Sequence, residues 1–265
     1  MPERDIIEAE LTQVDLEGTA NAKNLEEYWR ASVGRTLYGK LIDNQSKKMW
    51  MLDDNTLIDE IGWSPKGAAL KEGPWAAWDV AISCYPWARN GYDDYFDIAT
   101  ADATVLLEAM VTWFNIPDKT IVLNGEKTYE IIISTVSPDF LFEICHGELP
   151  YIGRDFHPML LPVENAFPDG TCFLYFVGKE HFTRIVEYKK LTVHEALTTL
   201  IGLEIPCANG RHYPMPITSE NARADRYFAE KPHGVFSIGR AGSYRYVIDN
   251  DDCIEQAMEI ARFLV

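Results

Sequence analysis

The chain has 265 residues, of which 47% are hydrophobic and 12% aromatic, so it is not a disordered protein and can bury a full core. Its 24 basic and 41 acidic residues give a net charge of −17, which argues against nucleic acid as a partner, because phosphate neutralisation needs a basic face. No stretch approaches the roughly 18 apolar residues of a membrane helix. The charged N-terminus does not resemble a signal peptide, so we expect no membrane attachment.

The five cysteines are widely spaced and include no Cys-x-x-Cys pair. This pattern predicts neither a disulfide framework nor a zinc site, and we expect no other metal site. Unpaired cysteines are typical of a reducing compartment, which predicts a cytoplasmic location.

The first half of the chain predicts mainly helices. Residues 1–23 are acidic and weakly patterned, and we expect an edge strand or a loose arm. Asn24 opens a helix with Glu27 as in a capping box, and its apolar face continues at helical spacing to Leu41. Residues 52–91 are rich in Trp and Pro and predict an irregular, packed segment. Residues 99–114 predict a second helix.

The second half predicts strands and two further helices. Apolar runs at 120–123 and 129–134 flank Asn124-Gly125, which predicts a hairpin. The other predicted elements are strands at 172–177, 183–188, 197–205 and 235–238, a helix from Thr218 or Ser219 to about Glu230, and a final helix from Asn250. Helices interleaved with hairpins predict an α/β fold of mixed α+β type. The expected regions are an arm (1–23), a helical region (24–115) and a mixed-sheet region (116–265).

Two clusters combine basic and aromatic residues. Trp50 follows two lysines, and it either stacks on a base or sugar while the lysines attract phosphate, or ends a helix as a core residue. Arg184 lies in an apolar strand, where a guanidinium group is costly unless it meets an anion. Its partner is either a bound phosphate or carboxylate, or a glutamate that joins two elements.

Two further clusters lie near the C-terminus. Tyr213 stands between Arg211-His212 and a Pro-Met-Pro sequence that fixes the backbone, so it is either a rigid phosphate donor or part of a connector. Residues 239–246, with Gly239, Arg240, Gly242 and Tyr246, follow a strand and precede the last helix. They are an anion site or a generic glycine-rich turn. Common catalytic motifs are absent from the sequence, so the catalytic residues are unknown.

Taken in order, these motifs resemble the UDP-galactopyranose mutase family over residues 24–265. The specific elements are Thr183-Arg184-Ile185-x-Glu187, Tyr213-Pro214 and Gly239-Arg240-x-Gly242-x-Tyr244-x-Tyr246. The resemblance implies an FAD enzyme that converts UDP-galactopyranose to its furanose form through attack of the reduced flavin on the anomeric carbon. It also implies that Arg184 holds the substrate diphosphate, that Trp50 lines the substrate pocket, and that Tyr213 and Tyr246 contact the phosphates. Arg240, with Gly239 and Gly242, would lie beside the flavin.

The chain departs from the family pattern at four places. It lacks the N-terminal strand, glycine-rich turn and helix that supply most of the FAD site. Gln45 replaces a tyrosine, residues 61–65 lack a second substrate arginine, and Ile248 replaces an aspartate. The resemblance therefore implies a mutase-like fold with a helical substrate domain at 24–115. Residues 116–265 would form a mixed sheet that keeps a remnant of the dinucleotide-binding domain.

Two functions follow from the resemblance, and a third alternative is an unrelated α/β domain in which the motif order is coincidence. In the first, the chain is the UDP-sugar-binding part of a flavin-dependent isomerase, and FAD binds only if another chain supplies the absent segment. In the second, it is a catalytically inactive mutase-derived protein with a binding or assembly role. In both, an exposed sheet is covered by a protein partner or by self-association.

Overall fold

The computed structural model describes residues 3–264, except residues 14, 62–85, 87, 89, 124–125 and 193. The helices within this part are α1 (Arg4–Leu11), α2 (Leu16–Asn21), α3 (Leu25–Leu37), α4 (Asp43–Trp50), α5 (Asp93–Ala99), α6 (Pro138–Leu141), α7 (Lys189–Thr192), α8 (Thr218–Ala229), α9 (Gly239–Gly242) and α10 (Asn250–Leu264). The strands are β1 (Trp113–Asn115), β2 (Thr120–Val122), β3 (Glu126–Thr128), β4 (Ile132–Ser134), β5 (Tyr151–Leu161), β6 (Phe173–Tyr175), β7 (Arg184–Glu187), β8 (Thr199–Cys207), β9 (Tyr213–Pro214) and β10 (Val235–Ser237). None of these helices is both long enough and apolar enough to cross a bilayer.

The N-terminal residues form two helices, α1 and α2, so the expected edge strand or loose arm is wrong. Ile7 is fully buried against α3 and the turn that follows it. The Glu10 carboxylate accepts hydrogen bonds from the backbone N–H and the hydroxyl of Thr36, at 2.8 and 2.9 Å. The apolar face of α1 is short, and a helix of this length forms only against a packing partner, which explains the weak pattern.

The start of α3 confirms the predicted cap. The Asn24 side chain accepts a hydrogen bond from the N–H of Glu27 at 3.0 Å, and the Glu27 carboxylate accepts one from the N–H of Lys23 at 2.9 Å. Gly34, with φ of +81°, interrupts the helical path. The apolar face therefore does not extend to Leu41, which is 44% exposed in the π-helical turn that joins α3 to α4.

The helix predicted over residues 99–114 is wrong. α5 ends at Ala99, and the segment finishes in β1, which pairs antiparallel with β2. Glu108 has φ of +53°, a conformation that interrupts a helix. Leu107 and Met110 are 83% and 76% exposed, so their helical spacing corresponds to no buried face in the described part of the chain. Most of the Trp- and Pro-rich segment lies outside the described residues.

The two strands predicted at 120–123 and 129–134 do not pair with each other. β2 pairs antiparallel with β3, which is residues 126–128, rather than with residues 129–134. β4 instead pairs parallel with β10, and Ile132 lies opposite Val235. The turn predicted at Asn124-Gly125 lies outside the described residues. A short hairpin pairs the residues next to its turn, which leaves the following run free to join a distant strand.

The largest sheet of the described residues has five antiparallel strands in the order β6-β7-β8-β5-β9. The predictions of β6, β7, β8, β10, α8 and α10 are confirmed, as is the mixed α/β class. β5 was not predicted, because Gly153 and Pro158 are residue types depleted in strands. It pairs with β8 from Gly153 to Leu161 and lies at the centre of the candidate site.

Candidate functional site

One face of the five-stranded sheet carries several site residues. Directly opposite residues on paired strands share a face, as do residues two apart on one strand. The row that crosses the sheet is Tyr175, Arg184, Glu204 and Phe156. Arg154 lies two residues from Phe156 along β5, and Ile152 lies two residues further, opposite Tyr213 of β9. Arg184 and Tyr213 therefore lie on the same face.

An aromatic cluster borders this face and consists of Trp50, Tyr213 and Tyr246. The ring centroids of Trp50 and Tyr246 are 4.8 Å apart in an edge-on arrangement, and those of Tyr213 and Tyr246 are 5.9 Å apart. Trp50 is only 1% exposed and belongs to a hydrophobic core with Ile152 and Met215. Burial raises the pKa of Tyr246 to about 12, so its phenol keeps its proton at neutral pH.

Arg184 is held by a carboxylate of the neighbouring strand. Its Nη2 donates to both Glu204 oxygens, at 2.8 and 2.9 Å, and its Nε donates to one of them at 3.1 Å. Burial opposes the charge of Arg184, but Glu204 outweighs it and raises the pKa of the guanidinium above its usual value. The glutamate partner considered for Arg184 is thus present, and its role as a diphosphate ligand stays a prediction.

Arg240 approaches the aromatic cluster from α9. Its Cζ lies 5.3 Å from the ring centroid of Tyr213 and 5.6 Å from that of Tyr246. Its Nε donates to the carbonyl of Ile248 at 2.9 Å, and its Nη2 pairs with Asp249. The chain therefore places a carboxylate on Arg240 one residue after the position at which the family pattern has an aspartate.

The two glycines of residues 239–246 are explained by the backbone conformation and the packing of the chain itself. Gly239 has φ of +74°, which disfavours other residues, and its N–H donates to Oε1 of Gln256 at 2.8 Å. Gly242 packs against the end of β4, where a Cβ atom would lie 2.9 Å from the carbonyl oxygen of Ser134. Their role in cofactor binding stays a prediction.

Arg154 belongs to the site but was not singled out from the sequence. Its Cζ lies 4.6 Å from the ring centroid of Tyr213, and its Nη1 donates to the carbonyl of Gly153 at 2.9 Å. Burial lowers the pKa of Arg154 below its usual value. Strand alternation would have placed Arg154 on one face with Ile152 and Phe156, but Gly153 and Pro158 obscure β5 in the sequence.

Other cations of the four clusters have structural partners. Lys48 donates to backbone carbonyls of the loop after β6, at 2.6 and 3.3 Å, and burial lowers its pKa. Arg211 donates to both oxygens of the fully buried Asp139, at 2.6 and 2.7 Å. Arg245 pairs with Asp225 of α8 at 2.9 Å. These contacts tie elements together, whereas Arg154 and Arg240 lie over the ring of Tyr213 and Arg184 lies on the same sheet face.

Comparison with known sequences gives the family of this chain. Residues 40–246 match the sequence model of the family described as UDP-galactopyranose mutase. The chain belongs to this family. No curated protein sequence gives a match.

Comparison with solved structures agrees with the family in fold. A crystal structure of reduced UDP-galactopyranose mutase has a TM-score of 0.73 to this chain at 16% identity, and the match covers 99% of this chain and 72% of the other. A Pyrococcus furiosus protein has a TM-score of 0.39 at 16% identity, covering 66% of this chain and 52% of its own. The first match confirms the predicted mutase-like fold with mixed helices and sheets.

Within the described residues, the contacts of Gly239 and Gly242 are with the chain itself. The Gly239 N–H already donates a hydrogen bond to Gln256. Backbone atoms at the end of β4 leave no room for a Cβ atom at Gly242. Arg240 is the one residue of the motif whose charged group faces the aromatic cluster. Within the described residues, no group of three or more His, Cys, Asp or Glu side chains is placed to hold a metal ion.

Proposed function

We propose that this chain is the UDP-sugar-binding part of a flavin-dependent pyranose–furanose isomerase of the UDP-galactopyranose mutase type. Its ligand class is a sugar carried on a nucleoside diphosphate. The observation that carries the proposal is that Arg154 and Arg240 converge on the phenol rings of Tyr213 and Tyr246, while Arg184 lies near Arg154 on the same face of the five-stranded sheet.

The chemistry of these groups suits a diphosphate. Guanidinium groups match phosphate oxygens through two parallel hydrogen bonds, and protonated phenols donate further ones. The stacking of Arg154 and Arg240 on Tyr213 holds their planes in place. Trp50 supports the ring of Tyr246 from the core side, and its contact with substrate stays a prediction.

In this proposal FAD binds together with polypeptide outside these 265 residues. Arg240 borders the cofactor, and the remaining flavin contacts come from the added segment. The parallel pair β4–β10 supports this, because within the described residues it has no further strand, and an isolated pair of strands is marginal. Ile133 of β4 is 49% exposed, as expected of a strand whose outer face or edge is covered by another segment.

A second candidate is a catalytically inactive, mutase-derived binding or assembly protein. It is favoured by the bidentate ion pair of Arg184 with Glu204 and by the use of Lys48 as a backbone anchor. In a phosphate-binding site, the side chains of Arg184 and Lys48 would bind the phosphate instead. A cytoplasmic location is compatible with either candidate and stays a prediction.

Calorimetry of the full chain with UDP, UDP-galactose and uridine tests the ligand class. We expect binding of both diphosphates and much weaker binding of uridine, and a loss of affinity in Tyr213→Phe. Absence of UDP binding would contradict the proposal. Native mass spectrometry of the protein from its source then separates the candidates: FAD in the complex supports the isomerase, whereas UDP binding without FAD or turnover supports the inactive protein.

A further inference from the structure

Lys48 joins α4 to the loop between β6 and β7, which consists of residues 176–183. Its Nζ donates to the carbonyl oxygens of Phe176 and Gly178, at 2.6 and 3.3 Å, and lies 3.8 Å from Oε2 of Glu180. The side chain is 11% exposed, and burial lowers the pKa of its ammonium group. A lysine of the helical region is therefore fixed to the five-stranded sheet by directional bonds.

The β6–β7 loop connects two residues of the site face. Tyr175 is the last residue of β6 and Arg184 is the first residue of β7, and the two lie opposite each other in the sheet. The N–H of Phe176 donates to the carbonyl of Thr183 at 2.9 Å, and the rings of Phe176 and Phe182 have centroids 4.5 Å apart. These contacts close the loop as a hairpin, so a shift of its carbonyls is passed on to Arg184.

The same helix connects Lys48 to the aromatic cluster. Trp50 follows two residues later in α4, is 1% exposed and meets the ring of Tyr246 at 4.8 Å. The sheet joins Arg184 to Tyr213 through β8 and β5, whereas α4 joins the β6–β7 loop to the cluster from the helical side. Both connections together set the distance between Arg184 and the cluster.

A buried ammonium group is a costly way to join two elements. Its desolvation is offset by two carbonyl oxygens and a carboxylate at 3.8 Å, and an apolar side chain of similar size would fill the space at a lower cost. The lysine adds direction, because its N–H donors fix the positions of the carbonyls that accept from them. This favours a role in geometry over a role in stability.

We infer that Lys48 is a positioning residue of the diphosphate site, which holds Arg184 at a set distance from the aromatic cluster. The inference rests on the proposed function, which supplies the ligand and the contact of Arg184 with it. The ion pair with Glu204 engages Nε and Nη2 of Arg184, so that carboxylate does not use the N–H groups of Nη1. A preformed arrangement of guanidinium and phenol groups binds an anion more tightly, because binding then imposes less order.

Calorimetry of the full chain with UDP tests the role of Lys48. Lys48→Met keeps most of the side-chain length but removes the donors, and we expect UDP affinity to fall about fivefold to tenfold. Lys48→Arg keeps the charge and the donors, so its affinity is expected to stay within about threefold of the unmodified chain. An equal loss in both variants would mean that the donors do not matter, and the inference would be wrong.

Lys190 provides a matched control. Like Lys48 it is largely buried, at 12% exposed, and it donates to two loop carbonyls at 2.5 and 2.7 Å and lies 3.8 Å from a glutamate, Glu187. Glu187 is three residues from Arg184 on β7, so the two side chains lie on opposite faces of the sheet. Lys190→Met makes the same chemical change and is expected to leave UDP affinity within about twofold of the unmodified chain.

Thermal unfolding separates positioning from general stability. Lys190→Met removes the lysine beside the fully buried Glu187. Lys48→Met removes the lysine beside Glu180, whose side chain is 44% exposed. We therefore expect the larger fall of Tm in Lys190→Met and the larger fall of UDP affinity in Lys48→Met. A fall of UDP affinity in Lys48→Met no greater than in Lys190→Met would overturn the inference.

A double-mutant cycle tests whether Lys48 acts through Arg184. If Lys48 only positions Arg184, Lys48→Met adds less than about twofold to the loss of UDP affinity in Arg184→Ala. Losses that multiply would mean that Lys48 attracts or contacts the ligand independently, and the positioning role would be wrong.

The outcomes separate this inference from the proposed function. Unchanged UDP affinity in Lys48→Met, with binding by the unmodified chain, overturns the inference and leaves the proposed function in place. If the unmodified chain does not bind UDP, the proposed function and the inference both fail.

Discussion

Trp50 illustrates how one residue can belong to both the core and the site. Its indole is 1% exposed and meets Tyr246 edge-on at 4.8 Å. We expect Trp50→Ala to lower the free energy of unfolding by about 3–5 kcal/mol, because it empties the volume of a large buried side chain. Trp50→Phe fills most of that volume and is expected to cost less. Urea unfolding measures both.

Ligand affinity then decides the role of Trp50. We expect Trp50→Phe to bind UDP nearly as well as the unmodified chain, and Tyr246→Phe to bind it more weakly, because the latter loses a phenol donor. A loss of UDP affinity above tenfold in Trp50→Phe with unchanged stability would instead mean that the indole contacts the ligand.

Asp139 makes the stability of the chain depend on pH in the acid range. Burial would raise the pKa of Asp139, but Arg211 and the N–H of Leu149 outweigh it and hold the pKa below the ordinary value of 3.8. An aspartate whose pKa is lowered in the folded state contributes its full stabilisation of the fold at pH values above its ordinary pKa. This contribution is lost as the pH falls through the lowered pKa.

Asp139→Asn tests this contribution. We expect the substitution to lower the free energy of unfolding at pH 7 by about 3 kcal/mol, since it breaks the ion pair with Arg211 while the side chain stays buried. The difference from the unmodified chain is expected to shrink as the pH falls below 3.8. Urea unfolding at a series of pH values measures it, and a difference independent of pH would contradict the ionic explanation.

At the scale of elements, local signals in the sequence predicted the helices, caps and strand pairs whose contacts are between residues close in sequence. The cap of α3 at Asn24, the strand pair β6–β7 and the helices α8 and α10 form where their turn and periodicity signals lie. β5 and the parallel pair β4–β10 were missed or mispaired, because their hydrogen-bond partners are distant in sequence.

The candidate site follows the same division. Tyr213, Tyr246 and Arg240 could be named from short motifs and lie together. Arg154 could not, since its place depends on the register of β5 against β9. The Glu204 partner of Arg184 likewise depends on strand pairing, so the sequence left its two alternatives open.

Gly242 tests the close packing of α9 on β4. A Cβ atom there would lie 2.9 Å from the Ser134 carbonyl oxygen and 3.2 Å from the Thr135 Cα, so backbone atoms must shift. We expect Gly242→Ala to lower the free energy of unfolding by about 1–3 kcal/mol. The matched control is Gly39→Ala, where no atom lies within 4 Å, and its expected effect stays within about 1 kcal/mol. Equal effects at the two positions would contradict the packing explanation.

At the scale of the whole molecule, exposed apolar side chains on α10 suggest a covered surface. Ile254 and Met258 are four residues apart, which places them on one face of the helix, and they are 53% and 52% exposed. Apolar groups grouped on one helix are typical of an interface. The net charge of −17 opposes self-association through repulsion, and salt screens that repulsion. We therefore expect the chain to self-associate through α10, more strongly as ionic strength rises.

Sedimentation velocity at several protein and salt concentrations measures this association. We expect the double substitution Ile254→Lys and Met258→Lys to give a monomer at every concentration, while unfolding free energy changes little because both side chains are exposed. The control pair Glu255→Gln and Glu259→Gln makes the same change of net charge on exposed positions of the same helix, so it isolates the apolar contribution from the electrostatic one. A monomer of 30.2 kDa for the unmodified chain at high protein and salt concentration would contradict self-association, and the α10 surface would then have no role as an interface between copies of this chain.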